Sequence, residues 1–380
     1  MDLELENDDA YRLPEFIHNQ SHTPNSGEKT NTARGVDLEL ENEDAYRLPE
    51  SPALARDARP TAKLKVPLIQ PTYPALSIYS MMMFATIWGV LARLGLEWIG
   101  GFAEREVFAV IWAQIVGCIV MGFVVERSKQ IEEIFPPLFT MLGTGFCGSL
   151  TTWSTMANDT FVAFANLDRP RGTSRFAGFL SGVAVTLITL VASTCALQVG
   201  VHLHDAIPDF PVRSRLRTRQ LPTLVNLISI TIGPLFLLGS LFLLIFGPNA
   251  WQSRATFAIV FGPVGTLLRY EFSRRLNTVR EGAPLGTFVA NTLAVLVYAV
   301  IGILARHPNS RLSCAALKGL QDGFCGSLST VSTFVVELRT VNRPQSYRYF
   351  FETWIASEML LVVILGSWVW SGDRAGLCWA

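Results

Sequence analysis

From residue 77 onward the chain is a series of apolar runs, each long enough to cross a bilayer, which takes about 20 residues. Spans are expected near 77–99, 107–125, 135–157, 174–197, 223–246, 254–274, 284–303, 314–337 and 350–371, nine in all. The runs at 223–246 and 350–371 are the most continuous, and the one at 107–125 is the shortest. Backbone groups in hydrocarbon must bond within their own segment, so the pattern predicts an all-α polytopic membrane protein. Ahead of these runs, residues 1–72 are acidic, polar and Pro-containing. They cannot bury enough apolar surface to offset chain entropy, and a disordered tail is expected there.

The pattern also repeats. Gly89-Val-Leu-Ala-Arg93 matches Gly265-Thr-Leu-Leu-Arg269, and Gln114-Ile-Val-Gly117 sits where Asn291-Thr-Leu-Ala294 sits. Gly145-Phe-Cys-Gly-Ser-Leu-Thr-Thr-Trp-Ser-Thr-Met156 matches Gly323-Phe-Cys-Gly-Ser-Leu-Ser-Thr-Val-Ser-Thr-Phe334, with Asp159 and Glu337 following at the same offset. One ancestral four-helix unit used twice accounts for this. The expected organisation is a tail at 1–72, a first unit at 73–200, a linker with its own span at 201–250, and a second unit at 251–380. A single crossing between the units starts the second from the opposite side. The halves are therefore expected to be inverted, with their broken third helices meeting at the centre. A second, smaller duplication lies in the tail, where Asp2–Glu15 recurs as Asp37–Glu50 with Glu43 in place of Asp8. It is either a recent internal duplication or a bivalent motif for a cytosolic partner.

Composition sharpens this reading. Of 380 residues, half are hydrophobic and 16% charged, and the net charge is zero, so no basic surface argues for nucleic acid. Six cysteines lack metal-site spacing and most sit in apolar runs, which suggests small reduced core residues. The five histidines lie in the tail and loops and suggest neither a metal nor a catalytic dyad. A cleaved signal peptide is not expected. Lys and Arg favour a cytosolic N-terminus: Arg56, Arg59, Lys63, Lys65, Arg127, Lys129, Arg213, Arg215, Arg217, Arg219, Arg274, Arg275, Arg280, Arg339, Arg343 and Arg348 then lie inside. Arg105, Arg169, Arg171, Arg175, Arg254, Arg306, Arg311, Lys318 and Arg374 lie outside.

The duplicated break is the strongest candidate for chemistry. Gly145 and Gly148 followed by Ser149, Thr151, Thr152, Ser154 and Thr155 weaken a helix at membrane depth. Unwound backbone survives there only where protein or a cavity lines it. Freed carbonyls can bind a cation, and hydroxyls can donate to an anion. A small-residue packing seam is the alternative. Arg93 and Arg269 occupy matching positions near span ends and suit either an anion-attracting vestibule or snorkelling anchors. Asp159 and Glu337 are expected to be structural. Glu358 lies inside the last span, and Ser181 and Ser357 occupy equivalent places that could extend a polar track.

These motifs resemble the Fluc/FEX (CrcB-type) fluoride channel family in its eukaryotic single-chain, two-repeat form, over roughly residues 77–371. The resemblance implies passive fluoride export through narrow polar pores, across a plasma membrane, by a chain that works as a monomer because its repeats replace a homodimer. It also implies a central structural sodium ion on carbonyls of Gly148, Thr151, Gly326 and Ser329, and a pore amide at Asn291. Fluoride is small and strongly hydrated, so a pore must replace water with neutral donors that bind weakly enough to release it. Ser154, Thr155, Thr152, Thr330, Ser332 and Thr333 are such donors, and aromatic rings present a positive edge to an anion.

The sequence departs from the family pattern at its two Phe positions. They read Trp153 and Met156 in the first half and Val331 and Phe334 in the second, and the first-half amide is Gln114. With aromatics shared across the symmetry axis, Trp153 and Phe334 should meet in one pore, and Met156 and Val331 in the other. One competent and one degenerate pore are therefore expected. A fluoride/proton carrier using Asp159, Glu337 or Glu358 is the alternative mechanism. No nucleophile–base pair, metal cluster or phosphate loop suggests an enzyme.

Overall fold

A computed structural model describes residues 75–100, 108–167, 174–208, 221–248, 252–280, 283–371 and 376–379. The duplicated tail lies outside these residues, as do Arg105, Arg169, Arg171, Arg213, Arg215, Arg217, Arg219 and Arg374. All regular elements among the described residues are helices. The first repeat comprises α1 (Ala75–Gly100), α2 (Ile111–Glu126), α3 (Ser128–Ile134), α4 (Pro136–Thr140), α5 (Gly148–Leu150), α6 (Trp153–Phe164) and α7 (Arg175–Ala206). The linker helix is α8 (Leu221–Phe246). The second repeat comprises α9 (Arg254–Leu276), α10 (Leu285–Leu304), α11 (Arg311–Leu320), α12 (Gly326–Leu328), α13 (Ser332–Thr340), α14 (Arg343–Leu361) and α15 (Ser367–Trp370).

Five helices are each long and apolar enough to cross a membrane: Ala75–Gly100, Arg175–Ala206, Leu224–Phe246, Leu285–Leu304 and Arg343–Trp370. A sixth span arises if α2 and α3, bent by 72° at their junction, are taken together. The nine expected spans do not all stand out individually, for physical reasons. Helix α2 has only 16 residues. Helix α9 carries Arg254, Arg269, Glu271, Arg274 and Arg275. The spans expected at 135–157 and 314–337 are each divided into short pieces.

The two repeats run in opposite directions where their first helices meet. Tyr79 near the start of α1 donates to Glu271 near the end of α9. Midway, Thr86 and Thr266 bond at 2.8 Å. At the far end Glu97 of α1 meets Arg254 at the start of α9, 2.7 Å apart. Helix α8 lies along α1, with Phe236 edge-on to Phe84 at 4.9 Å and the Gly233 N–H on Ser80 Oγ at 3.0 Å. Its outer face leaves Leu235, Leu238 and Phe242 exposed, as a lipid-facing surface requires.

The cysteine expectation needs correction. Cys118, Cys147 and Cys325 are buried and free, and Cys195 is free and exposed, but Cys314 and Cys378 form a disulfide. They are 64 residues apart and become neighbours only because the C-terminal segment folds back onto α11.

Candidate functional site

Both third helices break in the same way. A wide π-helical turn, Met141–Cys147 or Gln321–Cys325, leads into the single Gly-Ser-Leu turn of α5 or α12. Thr151 and Ser329 are then extended, with φ/ψ of −91°/148° and −88°/157°. Helix resumes at Trp153 and at Ser332. Hydroxyl side chains at the break compete for backbone bonds, and glycine gives no steric support, so the helix yields here.

Amides from the second helix of each repeat hold the breaks open. Thr152 N–H donates to Gln114 Oε1 at 3.2 Å, and Gln114 Nε2 donates to the Thr152 carbonyl at 2.7 Å. Thr330 N–H donates to Asn291 Oδ1 at 2.8 Å, and Asn291 Nδ2 to the Thr330 carbonyl at 3.3 Å. Gln114 and Asn291 thus perform one task, and both are fully buried. With these N–H groups engaged, the carbonyls of Gly148 and Gly326 lose the donors four residues on that a continuous helix would supply. Main-chain oxygens without a helical donor are the kind of ligand a hard cation takes.

The breaks also cap one another. Thr151 Oγ1 accepts from the N–H of Ser332 at 3.0 Å, at the start of α13. Ser329 Oγ accepts from the N–H of Ser154 at 3.1 Å, at the start of α6. Thr151 reaches Thr330 and Ser332, and Thr152 reaches Ser329 and Ser154, so two hydroxyl clusters form, each spanning the repeat boundary. Thr155 joins through Thr152 at 3.4 Å, and Thr333 N–H reaches Thr330 Oγ1 at 3.5 Å. Helices α6 and α13 therefore both aim their N-terminal, partially positive ends at the centre.

Arg93 and Arg269 are buried, at 1% and 2% exposure, and each crosses to the opposite repeat. Arg93 donates to the Ser149 carbonyl at 2.8 Å and to the Asp322 carbonyl. Arg269 donates to the Thr144 carbonyl at 2.7 Å, while its Nε and Nη1 have no partner among the described residues. A Cβ on Gly148 would fall 2.0 Å from Arg269 Nη1, and one on Gly326 would fall 2.4 Å from Arg93 Nη2. The glycine of each Gly-Ser-Leu turn is thus the seat of the other repeat's guanidinium. The two arginines stand against the breaks inside the protein, not at an open entrance.

The aromatic positions are unequal. Trp153 and Phe334 have ring centroids 4.6 Å apart, and Phe334 lies 4.8 Å from Tyr349. Met156 and Val331 do not form a separate site: they line one small cavity together with Trp153 and Phe334 and with Thr186 and Thr189 of α7. Trp153 Nε1–H donates to Ser357 Oγ at 2.9 Å. The partners of Ser357 reveal residues that the sequence pattern did not single out. Tyr349, Thr353 and Ser357 recur at four-residue spacing on α14, are buried, and form one polar line beside the aromatic pair. At its end Tyr349 O–H donates to Glu337 at 2.9 Å. Thr287 at 2.6 Å and Asn277 at 3.3 Å donate to the same carboxylate, which ties α9, α10, α13 and α14 together. Ser181, the counterpart of Ser357, follows Ala177 at four-residue spacing, and the buried hydroxyls of α7 lie further along it, at Thr186, Thr189 and Ser193. Glu358 is buried, with Oε1 unpartnered among the described residues.

Comparison with known proteins gives concordant results. The family model described as "CrcB-like protein, Camphor Resistance (CrcB)" matches twice, over residues 80–201 and 256–371. Fluoride export protein 1 of Candida albicans is 32% identical over 313 residues, spanning 76% of this chain and 79% of that protein. Fluoride export protein 1 of Neurospora crassa is 31% identical over 349 residues, spanning 77% of this chain and 66% of its own length. Fluoride-specific ion channel FluC 1 of Staphylococcus epidermidis is 39% identical over 92 residues, 22% of this chain and 68% of that protein. No solved structure matches.

Proposed function

Because the chain belongs to the CrcB-like family, we propose that it is a passive, fluoride-selective channel that exports fluoride from the cytoplasm across the plasma membrane as a monomer. The observation that carries this reading is the Trp153–Phe334 pair, 4.6 Å between centroids, set between the crossed breaks and the Tyr349–Thr353–Ser357 line. Ring edges present partial positive charge to a bare anion, and the neutral hydroxyls of the line would serve as weak donors on turning from the α14 carbonyls and Glu337 that they now bond. Met156 and Val331 give the pseudo-equivalent position no aromatic edge. Helix α7 has alanine where α14 has Thr353. We therefore assign conduction to one pore and regard the other as degenerate. Because Gln114 and Asn291 clamp their breaks alike, the asymmetry rests on the aromatics and on α14 rather than on the amides.

A sodium ion is proposed at the centre, on the carbonyls of Gly148, Thr151, Gly326 and Ser329. Its positive charge would hold the two breaks together. The N-terminus and the acidic tail are assigned to the cytosol, on the lysine and arginine bias of the loops.

The test is fluoride efflux from proteoliposomes. Phe334→Ile should reduce flux at least tenfold, whereas Met156→Ala should leave it near wild type. Intact flux in Phe334→Ile together with lost flux in Met156→Ala would reverse the pore assignment. Replacing sodium by a large organic cation should lower wild-type flux. Flux that moves protons stoichiometrically with fluoride, at carrier turnover, would instead identify a coupled exchanger working through a buried carboxylate such as Glu358.

A further inference from the structure

The C-terminal segment is fastened by three contacts, two to the second broken helix and one to the end of α10. Cys378 is bonded to Cys314, with Cα atoms 6.0 Å apart. The Cys378 N–H donates to the Ala305 carbonyl, just past the end of α10, at 3.1 Å. Trp379 places its ring 5.3 Å from Lys318 Nζ, one turn along α11 from Cys314. Lys318 in turn donates to Asp322 Oδ1 at 2.9 Å. Asp322 also receives Arg254, and its carbonyl receives Arg93. A chain of contacts therefore runs from the last residues of the protein to the guanidinium seated on Gly326.

The position of this bond in the fold carries a second consequence. The end of α10, the start of α11 and the C-terminal segment lie together at one edge of the helical body. The Lys318–Asp322–Arg254–Glu97 contacts bring the end of α1 and the start of α9 to that same edge. Tyr79, at the other end of α1, lies at the opposite edge beside Glu271. Disulfides persist in oxidising compartments and are rare in the cytosol. Among the described residues, the only cysteines paired are the two at this edge, while Cys118, Cys147 and Cys325 are buried within helices.

We propose that Cys314–Cys378 is an exoplasmic staple. It marks the Glu97–Arg254–Asp322 edge as the outer one and holds Trp379 over Lys318, so that the ion cluster supporting Arg93 keeps its geometry. The bond forms by thiol–disulfide exchange. The two thiols lose two protons and two electrons, and a disulfide-bearing oxidant of the secretory compartment is reduced to its dithiol. This inference does not depend on which ion the protein carries.

Labelling the full chain in intact cells tests both parts. A membrane-impermeant maleimide polymer, applied in a Cys195→Ala background, should add nothing until a membrane-impermeant phosphine reductant is present. Two adducts per chain should then appear, and none when Cys314 and Cys378 are both replaced by alanine. Adducts without reductant would mean free thiols, and adducts only after permeabilisation would mean the cytosolic side; either overturns the proposal. Reductant should also lower the melting temperature of the purified protein and leave that of Cys378→Ala unchanged. If wild type melts identically with and without reductant, the bond staples nothing and the proposal fails. The labelling arm uses the natural Cys314 and Cys378, so it remains decisive even if a variant folds poorly.

Discussion

The smallest feature that organises the centre is a missing methyl group. Gly148 and Gly326 look in sequence like helix-weakening residues, and they do sit beside the breaks. Their stricter requirement comes from Arg269 and Arg93, whose guanidinium groups occupy the space a Cβ would need. Overpacking a fixed, buried contact typically costs about 1–3 kcal/mol. Gly148→Ala should therefore destabilise by that amount, because Arg269 is buried and anchored to the Thr144 carbonyl. Gly95→Ala is the control. A Cβ there meets nothing within 4 Å, so helix propensity should make it neutral or stabilising by up to about 1 kcal/mol. Thermal denaturation in detergent measures both. A Gly148→Ala protein as stable as wild type would show that the arginine seat makes no demand on this glycine. The roles of these arginines were not legible in the sequence. Positions 93 and 269 read as span-end cations because each has a partner on the other repeat, the Asp322 and Thr144 carbonyls, which only the antiparallel crossing of α1 and α9 brings within reach.

At the scale of elements, the broken helices are stabilised by each other and not by their own residues. The N-cap residues Thr152 and Val331 make no side-chain cap bond, and the one such contact from within a repeat, Thr333 N–H to Thr330 Oγ1, is long at 3.5 Å. Thr151 caps α13 and Ser329 caps α6, each from across the boundary. Loss of an N-cap typically costs about 0.5–2 kcal/mol. Thr151→Val should carry that cost, and Thr151→Ser, which keeps the hydroxyl, should not. Amide hydrogen exchange locates the effect: protection should fall at the start of α13 in the second repeat, with the start of α6 far less affected. Loss confined to α6 would mean that the capping is local. Much at this scale was legible. The duplicated Gly-Phe-Cys-Gly-Ser-Leu motif located both breaks, and the sharing of aromatic positions across the axis anticipated the Trp153–Phe334 contact. The π-helical turns and the Tyr349–Thr353–Ser357 line were not. A wide turn has no composition of its own, and one hydroxyl every four residues on an apolar helix looks like packing until Trp153 is seen bonded to Ser357.

At the scale of the whole molecule, the contacts that join the two repeats at the centre depend on the parity of the crossings between them. The Tyr79–Glu271, Thr86–Thr266 and Glu97–Arg254 contacts are antiparallel by construction. So are the exchanged caps and the two arginine seats. One crossing, α8, delivers the second repeat upside down. None or two would deliver it in the same sense as the first, and these pairs could not form within one chain. Helix α8 itself contributes little to the centre. It lies along α1 and leaves much of its surface to lipid. Replacing α8 by an unrelated apolar transmembrane helix of equal length should therefore keep most of the ion flux per chain, with a moderate loss of stability from the missing Phe84–Phe236 and Ser80–Gly233 contacts. Inserting a second such helix, or replacing α8 by a flexible polar linker, should abolish flux from isolated single chains, because a dimer would then be needed to restore the antiparallel pairing. Flux from monodisperse, singly incorporated chains is the measurement. Full activity with two crossings would mean that the antiparallel arrangement of α1 and α9 is not what builds the conducting centre. Loss of activity with one unrelated crossing would mean that α8 has a specific role beyond turning the second repeat over.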